Sequence, residues 1–207
     1  MSVDIDIKWH QHQVREYNKI KSDFELYAET LKLIFEAAGI QYAPFCVVQA
    51  RAKSIPSFAE KIIRKAYKYK NPILQLTDLC GARVITHFEA EVKKISQFIK
   101  DNFEIDEANS LDVASRLQIS EFGYRAVHYI VTPNADEILG IKIPPAIKDK
   151  KAEVQVRTFL QHTWADICHD RIYKTPITVP QILEREVYRL AALLEKTDQT
   201  FGQLAGT

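Results

Sequence analysis

Two acids stand beside short apolar runs. Asp78 opens TDLCGARVI (77–85) and Glu153 opens EVQVRT (153–158). An acid at the mouth of a strand can hold a hard cation such as Mg²⁺ through oxygen. Strand alternation sends Glu153, Gln155 and Arg157 to one face and Val154 and Val156 to the other, a polar wall backed by core. Gly81 and Arg83 share a face in the same way. A basic run, RAKSIPSFAEKIIRK (51–65), supplies cations. Arg51 and Lys53 are two apart, on one face of a strand. Lys61, Arg64 and Lys65 are three and four apart, on one face of a helix, with Ile62 and Ile63 nearer its other side. Five converging cations can grip a triphosphate. The same pattern alone also fits a solvated basic surface. The six glycines form neither G-x-G-x-x-G nor G-x-x-x-x-G-K-[ST], so side chains must do most of any phosphate binding. In EFGYRAVHYIV (121–131), Tyr124 and His128 share strand parity. One can stack on a base and the other donate to a phosphate or ribose, with Gly123 allowing close backbone approach.

These residues need elements to hold them. Tyr17, Ile20, Phe24, Tyr27, Leu31, Ile34 and Ala38 mark one face of a long amphipathic helix ending near Gly39. Residues 45–52 read as a strand. Ser57-Phe58-Ala59-Glu60 fits a capping box opening a helix to about Tyr69, and Asn71-Pro72 breaks it. A buried strand over 80–88, a helix over 90–102, and strands over 124–132 and 152–158 follow. Residues 103–120 are ambiguous. Helices are expected at about 159–171 and 180–202. The order predicts an α+β fold: a mixed sheet of about five strands flanked by helices. A single domain over 1–207 is expected, its core at about 45–175 and helical flanks at 8–40 and 180–202.

Composition narrows the class. A 207-residue chain with 46% hydrophobic and 27% charged residues reads as a soluble globular protein. A net charge of +1 does not favour duplex DNA, so no DNA partner is expected. Three cysteines, none in C-x-x-C spacing, fit a reducing cytoplasm. No apolar run approaches the ~20 residues of a membrane span. His162, Asp166 and His169 fall at i, i+4 and i+7 beside Cys168, and His169-Asp170 has the look of a metal dyad. No convincing further ligands accompany them. A helix that packs Trp164 inward and lines a cleft is the preferred reading.

The segments RAKSIPSFAEKIIRK, LTDLCGARVITHF, FGYRAVHYIV and AEVQVRTFLQHTWADICHD, in this order and spacing, resemble the synthetase domain of RelA/SpoT-type alarmone synthetases, in its synthetase-only branch. The resemblance implies a nucleotidyltransferase-like sheet and an ATP-dependent pyrophosphokinase. Such an enzyme moves pyrophosphate from ATP to the 3′-hydroxyl of GDP or GTP, with Mg²⁺ as cofactor and release of AMP. By the same resemblance, Arg51, Lys53, Ser57, Lys61, Arg64 and Arg83 would bind ATP. Asp78 and Glu153 would be catalytic and hold the metal. Tyr124, Arg125, His128, Gln155 and Arg157 would hold the acceptor. One departure stands out: where family members often carry a lysine three residues before the Gly-Tyr glycine, this chain has Ser120. That motivates one alternative, a toxic relative acting on tRNA 3′ ends or adenosine nucleotides; a catalytically silent nucleotide-binding module is a second alternative, of another class. Homo-oligomer formation also stays open.

Overall fold

The computed structural model describes residues 6–65, 68–112, 127–168 and 181–206. Helix α1 (Ile7–Tyr42) is capped by Asp6, whose carboxylate accepts from the Trp9 amide at 3.0 Å. Its buried stripe includes Tyr17, Phe24, Tyr27, Leu31, Ile34 and Ala38, and Ile20 packs at its margin. The helix does not stop at Gly39. A Cβ there would lie 2.6 Å from Cys46 Sγ, so this glycine permits close packing inside the last turns.

Strand β1 (Val47–Ala52) leads through a short turn into α2 (Ile55–Arg64). The cap is Ser54, whose hydroxyl accepts from the Ser57 amide at 3.2 Å, with Pro56 in the first turn. Ser57 therefore sits inside the helix, and the predicted box at Ser57–Glu60 is displaced by one turn. The helix also ends at Arg64 rather than near Tyr69. Pro72 begins the short helix α3 (Pro72–Gln75). Strand β2 (Cys80–Thr86) and helix α4 (Glu89–Asn102) follow as expected. The ambiguous stretch contains β3 (Phe103–Ile105) and β4 (Leu111–Asp112). Strand β5 (Val127–Pro133) precedes a small hairpin, β6 (Glu137–Ile138) and β7 (Ile141–Lys142), and a 3₁₀ turn at Pro145–Ile147. Strand β8 (Ala152–Thr158), helix α5 (Phe159–Cys168) and helix α6 (Gln181–Ala205) complete the described chain.

The main sheet runs β1-β2-β8-β5-β3, with β4 also paired to β5. Among the described residues only β2 and β8 are parallel; the other pairings are antiparallel. This is the mixed, helix-flanked sheet of an α+β fold, one strand larger than expected among the described residues. One face is core: Ala82, Val84, Val154, Val156 and Val131 are buried with the α1 stripe and with Ile95, Phe98 and Ile99 of α4. Burial of such side chains contributes roughly 1.5–3 kcal/mol each. It leaves the opposite face of the central strands for polar residues. Among the described residues no helix is long and apolar enough to cross a membrane.

Candidate active site

Strand register builds the polar face. Arg51 pairs with Gly81, Gly81 with Glu153, and Glu153 with Ile130. The next row holds Gln49, Arg83, Gln155 and His128. Neighbours in one row point to the same side of a sheet, so functional groups from four strands are gathered by pairing alone. A cleft of about 410 Å³ opens over this face. Its lining includes Arg51, Lys53, Ser54, Ser57, Asp78, Gly81, Arg83, Glu153 and Gln155. Gly81 keeps the floor low between Arg51 and Glu153.

The turn between β1 and α2 brings its cations to Asp78. The Lys53 amide donates to the Leu79 carbonyl at 2.8 Å, which ties the end of β1 to the entrance of β2. Tyr17 of α1 donates to the Lys53 carbonyl at 2.7 Å and stacks on Phe58 at 4.4 Å. Burial pushes the Tyr17 phenol up to about 12, so it remains a donor. Lys53 Nζ and Lys61 Nζ then meet the same oxygen, Asp78 Oδ2, at 2.8 and 2.6 Å. Burial alone would raise the Asp78 acid, but the two ammonium groups override it and hold the carboxyl below its usual range. Asp78 Oδ1 is buried without a hydrogen-bond partner. A buried, unsatisfied carboxylate oxygen in a cleft that a second carboxylate, Glu153, also lines suits a hard divalent cation, which takes oxygen ligands.

On the other side, Glu153 Oε1 accepts from Gln155 Nε2 at 2.5 Å and faces His128 Nδ1 at 3.5 Å. Gln155 Oε1 in turn accepts from Arg157 Nη2. Burial holds His128 below the ordinary imidazole value; Glu153 opposes this, while Arg157 and Arg83 reinforce it. His128 is therefore neutral at pH 7, and its Nε2 is buried without a partner. Helix α5 packs Trp164 inward against Ala191 of α6. It also places Asp166 3.9 Å from Arg83 Nη1, and His162 Nε2 lies 3.6 Å from the same carboxylate. Among the described residues no group of three or more His, Cys, Asp or Glu side chains forms a metal site. His169 and Asp170 lie outside the described residues.

The structure gathers Arg51, Lys53, Ser57, Lys61, Asp78, Arg83, His128, Glu153 and Gln155 around one cleft. It does not gather the whole basic run. Arg64 and Lys65 are exposed at the end of α2 and are not among the described residues lining the cleft. The helix is shorter than expected, and these two fall on its final turn and cap. Ile63 is also exposed, at 45%, whereas Ile62 is buried. Arg157 is 2% exposed, which leaves almost no surface for a nucleotide to touch. Tyr124 and Arg125 lie outside the described residues. Sequence reasoning missed Gln49 and Ser54. Gln49 shares the parity of Arg51 and was legible from alternation; Ser54 was masked by the competing Ser57 box.

A helix-flanked mixed sheet bearing acids and cations in one cleft is the architecture of nucleotidyltransferase-like synthetases. Residues 50–178 match the region found in RelA / SpoT proteins, and the chain belongs to that family, as a synthetase domain resembling small alarmone synthetases. GTP pyrophosphokinase YjbM of Bacillus subtilis strain 168 is 22% identical over 204 residues, covering 97% of this chain and 90% of that one. GTP pyrophosphokinase YwaC of the same organism is 24% identical over 154 residues, covering 73% and 69%. A GTP pyrophosphokinase family protein from Streptococcus pneumoniae superposes with a TM-score of 0.71 at 25% identity, covering 91% of this chain and 92% of that one. The small alarmone synthetase 2 of Bacillus subtilis gives 0.74 at 21% identity, covering 92% and 98%.

Proposed function

We propose that the chain is an alarmone synthetase that transfers pyrophosphate from ATP to the 3′-hydroxyl of GDP or GTP. The observation that carries this reading is one cleft lined by Asp78 and Glu153 together with Arg51, Lys53 and Arg83. Membership in the RelA/SpoT family and the likeness to GTP pyrophosphokinases support it.

In this reading the triphosphate lies between the amino terminus of α2 and the lysines. The helix start offers backbone amides and the hydroxyls of Ser54 and Ser57 to phosphate oxygens. The arriving phosphates would draw Lys53 and Lys61 from Asp78 and free its carboxylate. Arg51 and Arg83, in adjacent register rows, flank the adenine. Asp78 and Glu153 would hold Mg²⁺, which supplies charge neutralisation and alignment of the phosphates when bound. Gln155 and His128 face the acceptor side, where Tyr124 and Arg125 would complete the pocket. The acceptor 3′-oxygen forms a bond to the β-phosphorus of ATP. The bond from that phosphorus to the oxygen bridging it to the α-phosphorus breaks, and AMP departs. The hydroxyl proton passes to the Glu153 carboxylate and then to water. The rate gain comes from alignment and charge stabilisation, as in other phosphoryl transfers.

The test is incubation with labelled ATP and Mg²⁺, separately with GDP, GTP, ADP and tRNA, followed by product separation. A 3′-pyrophosphorylated guanosine nucleotide together with AMP is expected. Product only with ADP or tRNA replaces the acceptor, the outcome to which Ser120 draws attention. No AMP with any acceptor rejects the enzyme reading in favour of a silent nucleotide-binding module.

A further inference from the structure

Arg157 is the largest fully buried side chain among the described residues, yet it stands on the polar side of β8, in line with Glu153 and Gln155. A guanidinium can only donate hydrogen bonds, and an ionised carboxylate can only accept them. Gln155 lies between the two. Its carbonyl oxygen must face Arg157 and its NH₂ must face Glu153, because the flipped amide would set donor against donor at one end and acceptor against acceptor at the other. The structure has this one satisfactory arrangement, Arg157 to Gln155 Oε1 and Gln155 Nε2 to Glu153 Oε1. Flanking residues hem in the amide: Arg83 and His128 are its register partners on the two neighbouring strands.

We propose that Arg157 is a positioning residue, which acts through the Gln155 amide to hold the Glu153 carboxylate in one orientation over the cleft. The inference rests on Glu153 serving the transfer reaction. Arg157 does not contact the acceptor; its burial forbids it. A charged donor behind a neutral amide strengthens the bond that the amide makes in front. Misplacement of a reacting group by about 1 Å costs on the order of 10²-fold in rate, so a residue two removed from the chemistry can govern turnover.

Three variants of the full chain test this: Arg157→Met, Arg157→Lys and Gln155→Glu. Arg157→Met cuts the relay at its source. Gln155→Glu keeps a partner for Arg157 but turns a carboxylate oxygen toward Glu153. Arg157→Lys keeps charge without the planar fork. The first readout is the split between turnover and acceptor affinity, from AMP release at saturating GDP and from equilibrium GDP binding. Turnover is expected to fall by roughly 10²-fold in Arg157→Met and Gln155→Glu, with GDP affinity changed less than about threefold in Arg157→Met, the variant that leaves the cleft lining intact. The second readout needs no activity. The Gln155 side-chain amide signals, assigned in the ¹⁵N spectrum by their loss in Gln155→Glu, should exchange slowly in the native protein and quickly in Arg157→Met. Should Arg157→Met fail to fold, Arg157→Lys carries the comparison. A proportional loss of GDP binding with turnover intact would make Arg157 an acceptor contact and overturn the proposal. So would amide exchange in the native protein as fast as in Arg157→Met. A native protein that makes no product but shows the protected amide rejects the enzymatic reading while leaving the relay standing.

Discussion

Asp78 presents two unlike oxygens to its surroundings. Its Oδ2 is shared by two ammonium groups and its Oδ1 is buried and unsatisfied. The pair of lysines meets its charge, and in the proposed reaction a triphosphate would offer the same lysines a stronger anion. Replacing Asp78 or Glu153 by Ala should lower AMP release by about 10²–10³-fold, the usual loss for one well-placed electrostatic group. Full activity in either variant would remove the two acids from the mechanism. His162 gives a pH signature at the same scale. Burial lowers its affinity for a proton; Asp166 opposes, and Arg157 and Arg83 reinforce the lowering. The unfolded chain thus binds this proton more readily than the folded one. Stability is full above the ordinary imidazole value of about 6.5 and falls as pH drops below it. Urea midpoints measured from about pH 7.5 down to about pH 5.5 should fall less steeply in His162→Gln than in the native protein. Parallel curves would show that this imidazole is not responsible.

Elements matter here because each delivers a functional group by a packing contact made elsewhere. Tyr17, ten residues into α1, fixes the Lys53 carbonyl and stacks on Phe58 of α2. Tyr17→Phe keeps the ring but leaves a carbonyl unsatisfied, a cost of about 1–3 kcal/mol. It should also weaken ATP binding severalfold, because Lys53 rides on that backbone; isothermal titration and urea denaturation check the two effects, and an unchanged urea midpoint would mean water replaces the phenol. The long helices and the strand at 152–158 were readable because their periodicity is sustained over many residues. The polar row Glu153-Gln155-Arg157 was readable for the same reason, although alternation says only which side a residue faces. It could not say that Arg157 would be sealed beneath its neighbours, since that depends on what packs over the strand. Gly39 looked like a helix stop because glycine often ends helices. Its actual constraint, the Cys46 sulfur at 2.6 Å from a Cβ, comes from a residue past the helix end. Two serines three apart both offered caps, and only the turn that ties Lys53 to Leu79 selects Ser54. Strands of two residues, such as β4, β6 and β7, are too short to show a period at all.

At the scale of the whole molecule, charge is nearly balanced: 28 basic residues against 27 acidic, a net +1. The cleft is not balanced. Arg51, Lys53, Lys61 and Arg83 surround it with four positive charges, against two from Asp78 and Glu153. Long-range attraction for an extended polyanion depends on many phosphate contacts along a surface, and a near-neutral protein lacks that field. Attraction for a compact triphosphate depends on the local excess inside a concave site, where screening is weaker than at the surface. The two ligands should therefore separate in one salt titration. ATP affinity should weaken severalfold between roughly 50 and 500 mM salt, as expected where solvent-accessible cations contribute. A duplex DNA of about 20 base pairs should not displace ATP at roughly 150 mM salt, because a net charge of +1 gives little attraction for an extended polyanion. Competition binding with fluorescent ATP distinguishes the cases. Displacement by DNA in proportion to its phosphate content would mean that the positive charge is spread over a continuous face, and the compact-site account of phosphate binding would have to be given up. ATP affinity independent of salt would mean that the four cations are already neutralised by partners within the cleft, with stacking on the base carrying the binding instead.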